Sequence, residues 1–152
     1  MRHDHAVSSL ASHDGLDPAP RARVLAVDDH DPFLGALRIL IRRTRLLQLV
    51  GEAGSGERAL EAAHDCHPEL ILMDVHMSGM GGVAAARAFK ARRQAAVVVL
   101  ISTTPPDELS AQAATCGAEE ILWKSDLRPE LLDAMWLRHR PPPIPAGDRQ
   151  RA

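Results

Sequence analysis

Four apolar runs in this 152-residue chain each give way to a polar side chain. "RVLAV" is followed by Asp28-Asp29, "ELILM" by Asp74, "AVVVLI" by Ser102 and "EILW" by Lys124. Carboxylates gathered at one place repel one another, and each has its pKa raised unless a positive charge is present. A divalent cation resolves that conflict. Mg²⁺ takes oxygen ligands, keeps several waters and commonly uses one or two carboxylates together with phosphate oxygens, which fits Asp29 and Asp74, with Asp28 helping through water. Lys124 adds a compact, mobile ammonium, and Ser102 adds a hydroxyl donor. Two cations flanking a gap call for an anion between them, and a phosphoryl group is the obvious one. Asp74 then serves as the nucleophile that accepts it, with Mg²⁺ and Lys124 neutralising the equatorial oxygens and Ser102 donating a hydrogen bond.

These side chains meet only if the runs that carry them lie side by side. The runs "RVLAV", "LQLVGEA", "ELILM", "AVVVLI" and "EILW" are strand-like, and between them lie stretches of helical period. After the first run, Asp31 is expected to cap a helix beginning at Pro32, with Leu34, Leu37 and Ile41 on one face. Arg38, Arg42 and Arg45 are placed on the opposite face, as phosphate contacts or as a solvated surface. Ser55 opens a second helix, Gly81-Gly82 a third, Pro105-Pro106 a fourth over "DELSAQAATCG", and Pro129 a fifth that stops at Pro141. Five strands alternating with five helices imply right-handed crossovers around a parallel sheet, an α/β doubly wound fold with helices on both faces. Such a sheet binds its ligand at the carboxyl ends of the strands, where the strand order reverses.

Composition agrees. The chain is 45% hydrophobic and 25% charged, with a net charge of −2 that gives no general attraction to nucleic acid or anionic membrane. With aromatics at 3% and no Tyr, the core must be built from Leu, Val, Ile and Ala. Cys66 and Cys116 lack the spacing of a zinc site or redox pair and are expected to be reduced thiols in cytosol. No segment reaches the roughly 20 apolar residues that span a bilayer. The length suits one domain, placed at 23–140. Residues 1–22, with His3, His5 and His13, and the proline-rich 141–152 are expected to be mobile tails without chemistry of their own.

In its motifs the sequence resembles the response-regulator receiver domains of two-component signalling. The resemblance spans roughly Arg23 to Arg140 and rests on "VDDHDPF", "LILMDVHMSGMGG", "VVVLIS" and "GAEEILWKSD", in that order and at family spacing. It implies a flavodoxin-like fold. It also implies that Asp28 and Asp29 are the acidic metal pair for Mg²⁺, Asp74 the phosphorylation site, Ser102 the switch hydroxyl and Lys124 the family's lysine. A further metal ligand is implied at the backbone carbonyl of His76. The partners implied are a sensor histidine kinase or phosphotransfer protein and an output protein, with a homodimer as a further assembly. The expected activity is self-phosphorylation from a donor and slow autodephosphorylation, in the cytoplasm, rather than turnover as an enzyme. With only a short tail after Arg140, a stand-alone receiver without a DNA reader is expected.

Departures from the family pattern set further expectations. Ser78 replaces a proline and Gly81 an aspartate, so the loop after Asp74 is expected to be looser. Thr103, β-branched where the family has Ala or Gly, narrows access to Asp74. Ile121 takes the place of the switch aromatic, and Trp123 is expected in the core. Two other readings compete: a module of this fold that binds partners without being phosphorylated, and a phosphohydrolase with an Asp nucleophile, suggested by Asp29-His30-Asp31. Pro32 and Phe33, where that hydrolase family has Gly-Thr, count against the second.

Overall fold

The computed structural model describes residues 19–92 and 95–143. Five parallel strands, β1 (Ala22–Val27), β2 (Leu47–Ala53), β3 (Leu70–Asp74), β4 (Val97–Ser102) and β5 (Glu120–Trp123), form one sheet in the order β2-β1-β3-β4-β5. Helices α1 (Asp31–Arg42), α2 (Gly56–Cys66), α3 (Gly82–Ala91), α4 (Ala111–Ala114) and α5 (Pro129–His139) connect and follow them. The doubly wound α/β architecture read from the sequence is therefore present, with the order reversing between β1 and β3.

Period-two alternation explains how a sheet this apolar is covered on both sides. Leu70 and Leu72 of β3, with Val97, Val99 and Ile101 of β4, face a core closed by Leu34, Leu37 and Ile41 of α1 and Leu132, Met135 and Trp136 of α5. Ile71 and Met73, with Val98 and Leu100, face a second core closed by Ala59, Leu60 and Ala63 of α2 and Ala85, Ala86 and Phe89 of α3. Small alanines on α2 and α3 let those helices sit close to the sheet.

The helix starts follow local chemistry. At α2, Ser55 caps as expected, its hydroxyl accepting the Arg58 N–H at 3.2 Å. At α1 the cap is His30, one residue earlier than expected, and its carbonyl accepts the N–H groups of Phe33 and Leu34. Asp31 thus sits inside the first turn, where its charge suits the positive end of the helix. Arg45 lies beyond the end of α1, and Arg38 pairs with Glu52 through bonds of 3.1 and 2.9 Å, so the expected three-arginine face does not form.

The fourth helix also departs from expectation. A single 3₁₀ turn over Pro106–Glu108 is followed by extended backbone at Leu109 and Ser110 before the four residues of α4. Leu109 packs against the second core, and Ser110 restarts the helix, its carbonyl accepting from Ala113 N.

The cysteines are free, Cys116 buried and Cys66 half-buried. Among the described residues no helix is long and apolar enough to cross a membrane. Most of the two expected tails, including His3, His5 and His13, lies outside the described residues; Pro141–Pro143 are exposed and without regular structure.

Candidate functional site

All of the polar residues that close the apolar runs arrive at the carboxyl edge of the sheet. Asp74 is the last residue of β3, paired in register with Ile101, and Ser102 ends β4 one step farther along. Lys124 follows directly on β5. Asp28 continues β1 by donating its N–H to the Ala53 carbonyl at 3.1 Å. Why the strand breaks into glycines after Asp74 is visible here. A Cβ on Gly82 would stand 2.1 Å from the Asp74 carbonyl oxygen, so only glycine lets the start of α3 close over the end of β3.

The charges are arranged around Lys124. Its ammonium donates to Asp28 Oδ2 at 2.7 Å and lies 3.3 Å from Asp74 Oδ1. It also sits 3.9 Å from the centre of the Phe33 ring, whose face attracts a cation. Asp28 is 1% exposed and Asp74 5%, so neither carboxylate has much help from water. The other oxygen of Asp28 accepts the His30 N–H at 2.9 Å, which fixes the turn into α1. Burial pushes the Asp74 carboxyl above its ordinary value of 3.8, the Asp28 charge adds to that push, and Lys124 opposes both. Asp29, by contrast, is exposed and held below the ordinary value, chiefly by the Ser78 backbone N–H.

One oxygen from each of Asp28, Asp29 and Asp74 lies within 4.8 Å of the others. The cluster offers oxygen donors only, a set that suits a hard cation such as Mg²⁺ better than a thiolate- or imidazole-seeking metal. The exposed Asp29 leaves it open to solvent. His76 is exposed in the loop after Asp74. Ser102 is fully buried, and its hydroxyl oxygen accepts the Thr104 N–H at 3.0 Å, leaving its own hydrogen for another acceptor.

Two expectations change. The loop after Asp74 is not loose, because Ser78 donates both its N–H (3.1 Å) and its hydroxyl (3.3 Å) to Asp29 Oδ2, while Met80 N–H donates to Glu57 Oε1 at 3.0 Å. Trp123 is not a core residue. It is half-buried outside both core clusters, and its indole N–H donates to the Thr103 carbonyl at 3.1 Å. Thr103 itself is exposed, while Ile121 packs against the second core. Sequence reasoning gave neither Phe33 nor Glu57 a place at the site. Phe33 carried a signal in its place one turn after the acidic pair; Glu57 carried none, since its partner is a backbone amide twenty-three residues away.

Comparisons with known proteins bear on the family of the chain. The family model described as "Response regulator receiver domain" matches residues 24–135. The nitrate/nitrite response regulator NarL of Escherichia coli (strain K12) is 33% identical over 115 residues, covering 75% of this chain and 53% of that protein. The response regulator GacA of Pseudomonas viridiflava is 45% identical over 65 residues, 43% of this chain and 30% of that protein. The chain thus spans from about a third to about half of the curated relatives it matches. Among solved structures, the signal receiver domain of NarL from Mycobacterium tuberculosis superposes with a TM-score of 0.70 at 30% identity, covering 78% of this chain and 94% of that one. The response regulator domain of Thermotoga maritima CheB gives 0.64 at 25% identity, covering 78% and 92%.

Proposed function

The chain belongs to the receiver-domain family of response regulators, and on that footing we propose that Asp74 is its phosphoacceptor, receiving a phosphoryl group from a sensor histidine kinase or a phosphotransfer protein. A carboxylate oxygen of Asp74 forms the new O–P bond while the P–N bond of the donor phosphohistidine breaks, and the leaving imidazole keeps the electron pair and takes up a proton. Asp74 must be ionised to attack, and burial works against that. Lys124 counters it, and its ammonium is placed to meet phosphoryl oxygens as negative charge builds on them. The free hydrogen of Ser102 is available to one of those oxygens.

Asp28, Asp29 and Asp74, with the His76 carbonyl, are the residues that would hold Mg²⁺. When bound, that cation supplies Lewis-acid neutralisation of the phosphoryl oxygens. The single observation that carries the proposal is the position of Lys124 Nζ, 2.7 Å from one buried carboxylate and 3.3 Å from the other. An ion pair kept for stability alone needs one partner, whereas a cation shared between two acids at a ligand-binding sheet edge is poised to meet an anion.

The partners follow as proposals: a phosphodonor protein on one side, an output protein on the other, acting in the cytoplasm. No turnover of free phosphate esters is expected. Incubation with acetyl phosphate and Mg²⁺ tests the reading by mass spectrometry. One added phosphoryl group, labile to hydroxylamine and absent in Asp74→Asn, is the expected result. An unmodified wild type would favour a partner-binding module that is never phosphorylated, and a modification that persists in the Asn variant would move the acceptor elsewhere.

A further inference from the structure

Of the three clustered acids, Asp28 and Asp74 are fixed by Lys124, whereas Asp29 is exposed and, among the described residues, makes its side-chain hydrogen bonds to Ser78 alone. We propose that Ser78 is a positioning residue for the divalent-cation site, locking one oxygen of Asp29 so that the other faces the cation. The inference rests on the reading of Asp29 as a cation ligand.

The geometry supports this in three ways. Both Ser78 donors converge on Oδ2, which leaves Oδ1 as the oxygen that can ligate. An exposed carboxylate left to itself samples several rotamers, and a ligand spread over rotamers binds weakly. The bonds also join residues forty-nine apart, and so fasten the β1–α1 turn, with Asp28 and Asp29, to the β3–α3 loop that carries Asp74 and the His76 carbonyl. Ser78 is itself held. Two residues on, Met80 N–H is anchored on Glu57 of α2, and Gly79 between them takes the positive φ of +73° that lets the loop turn from one anchor to the other. Asp29 is thus braced through Ser78 to a packed helix.

A rigid acid favours the ion with the stricter geometry. Mg²⁺ demands near-ideal octahedral ligands at short distance, whereas Ca²⁺ accepts irregular ones. Ser78 therefore contributes to Mg²⁺ affinity and to preference for Mg²⁺ over Ca²⁺.

Calorimetric titration of the full chain with Mg²⁺ and with Ca²⁺ tests this, with tryptophan fluorescence, to which Trp123 and Trp136 both contribute, as a second readout. Ser78→Ala keeps the N–H but loses the hydroxyl. It should weaken Mg²⁺ binding by about tenfold, the low end for loss of a ligand's hydrogen-bond partner, and weaken Ca²⁺ binding less. Ser78→Thr should restore both. Glu57→Ala, which removes the acceptor of the Met80 N–H and so loosens the same loop without touching Asp29, should move Mg²⁺ binding in the same direction by a smaller factor, and it serves if Ser78→Ala does not fold. Unchanged Mg²⁺ affinity in Ser78→Ala, or equal losses for Mg²⁺ and Ca²⁺, would overturn the proposal. Tighter Mg²⁺ binding would also overturn it, making Ser78 a competitor for Asp29. If the wild type binds neither ion, the assignment of the acids as a cation site fails with it; wild-type binding abolished by Asp29→Ala but indifferent to Ser78 fails the positioning role alone.

Discussion

Replacing Lys124 by methionine keeps a stem of similar length and removes the charge that two buried carboxylates share. The structure sets the size of the effect. Asp28 and Asp74 have side-chain exposures of 1% and 7% and Lys124 of 14%, so water can do little to replace the lost ammonium. Removing one partner of a buried pair typically costs 3–5 kcal/mol. The partial exposure of Lys124 and the nearness of Asp29 to solvent argue for the lower end, about 3 kcal/mol, or a fall of about 10 °C in the melting midpoint for a chain of this length.

The sign of the pH dependence follows from Asp74. Its folded pKa is already above 3.8, so its ionisation opposes folding, and stability from this group is fully present below 3.8 and lost as pH rises through the folded value. Lys124 limits that loss. In Lys124→Met the folded value climbs further, so the deficit should be largest near neutrality and shrink as the pH falls. Urea unfolding of wild type, Lys124→Met, Asp28→Asn and the double variant at several pH values measures both effects, with a coupling energy of at least about 1 kcal/mol expected from residues in direct contact. A cost below about 1 kcal/mol with no change in pH profile would show that the pair behaves like a surface ion pair, and would remove the argument that Lys124 is poised for an anion.

Three further predictions follow from the same site. Asp74→Asn should raise the melting midpoint at neutral pH in the absence of metal, and the gain should vanish toward pH 3.8, because the asparagine carries no charge to bury. Gly82→Ala should cost about 3 kcal/mol or more in urea unfolding, since its Cβ would meet the Asp74 carbonyl at 2.1 Å and α3 must back away; a near-neutral effect would mean that α3 is not seated against β3 as described. Trp123→Phe should cost about 1 kcal/mol through the lost bond to the Thr103 carbonyl, with amide shifts at Thr103 and Thr104 as the local readout.

What could be read from the sequence was whatever depended on residue type at a fixed place along the chain. The strands announced themselves as short apolar runs, and the polar residues closing four of them fell at the sheet edge because a parallel sheet puts all its carboxyl ends together. The identity of the anchors was harder. Ser78 was read only as a proline lost, when its gain is an N–H and a hydroxyl aimed at Asp29. Trp123 was expected in the core because it stands outside the switch-aromatic position, but as the residue paired with Ser102 at the end of an edge strand it has solvent beside it. "DELSAQAATCG" carried helical composition, and the restart at Ser110 was decided by Leu109 packing inward, a tertiary contact that composition does not encode.

The place of β5 in the sheet has a consequence for dynamics. Among the described residues it pairs with β4 alone, so the strand that delivers Lys124 is an edge, and edges open more readily than central strands. Each excursion of β5 withdraws the ammonium from Asp28 and Asp74 and leaves them facing one another. Charge at the acid cluster and fraying at the edge are therefore one equilibrium. An anion captured beside Lys124 should slow hydrogen exchange at Leu122 and Trp123, on a strand that the anion itself need never touch.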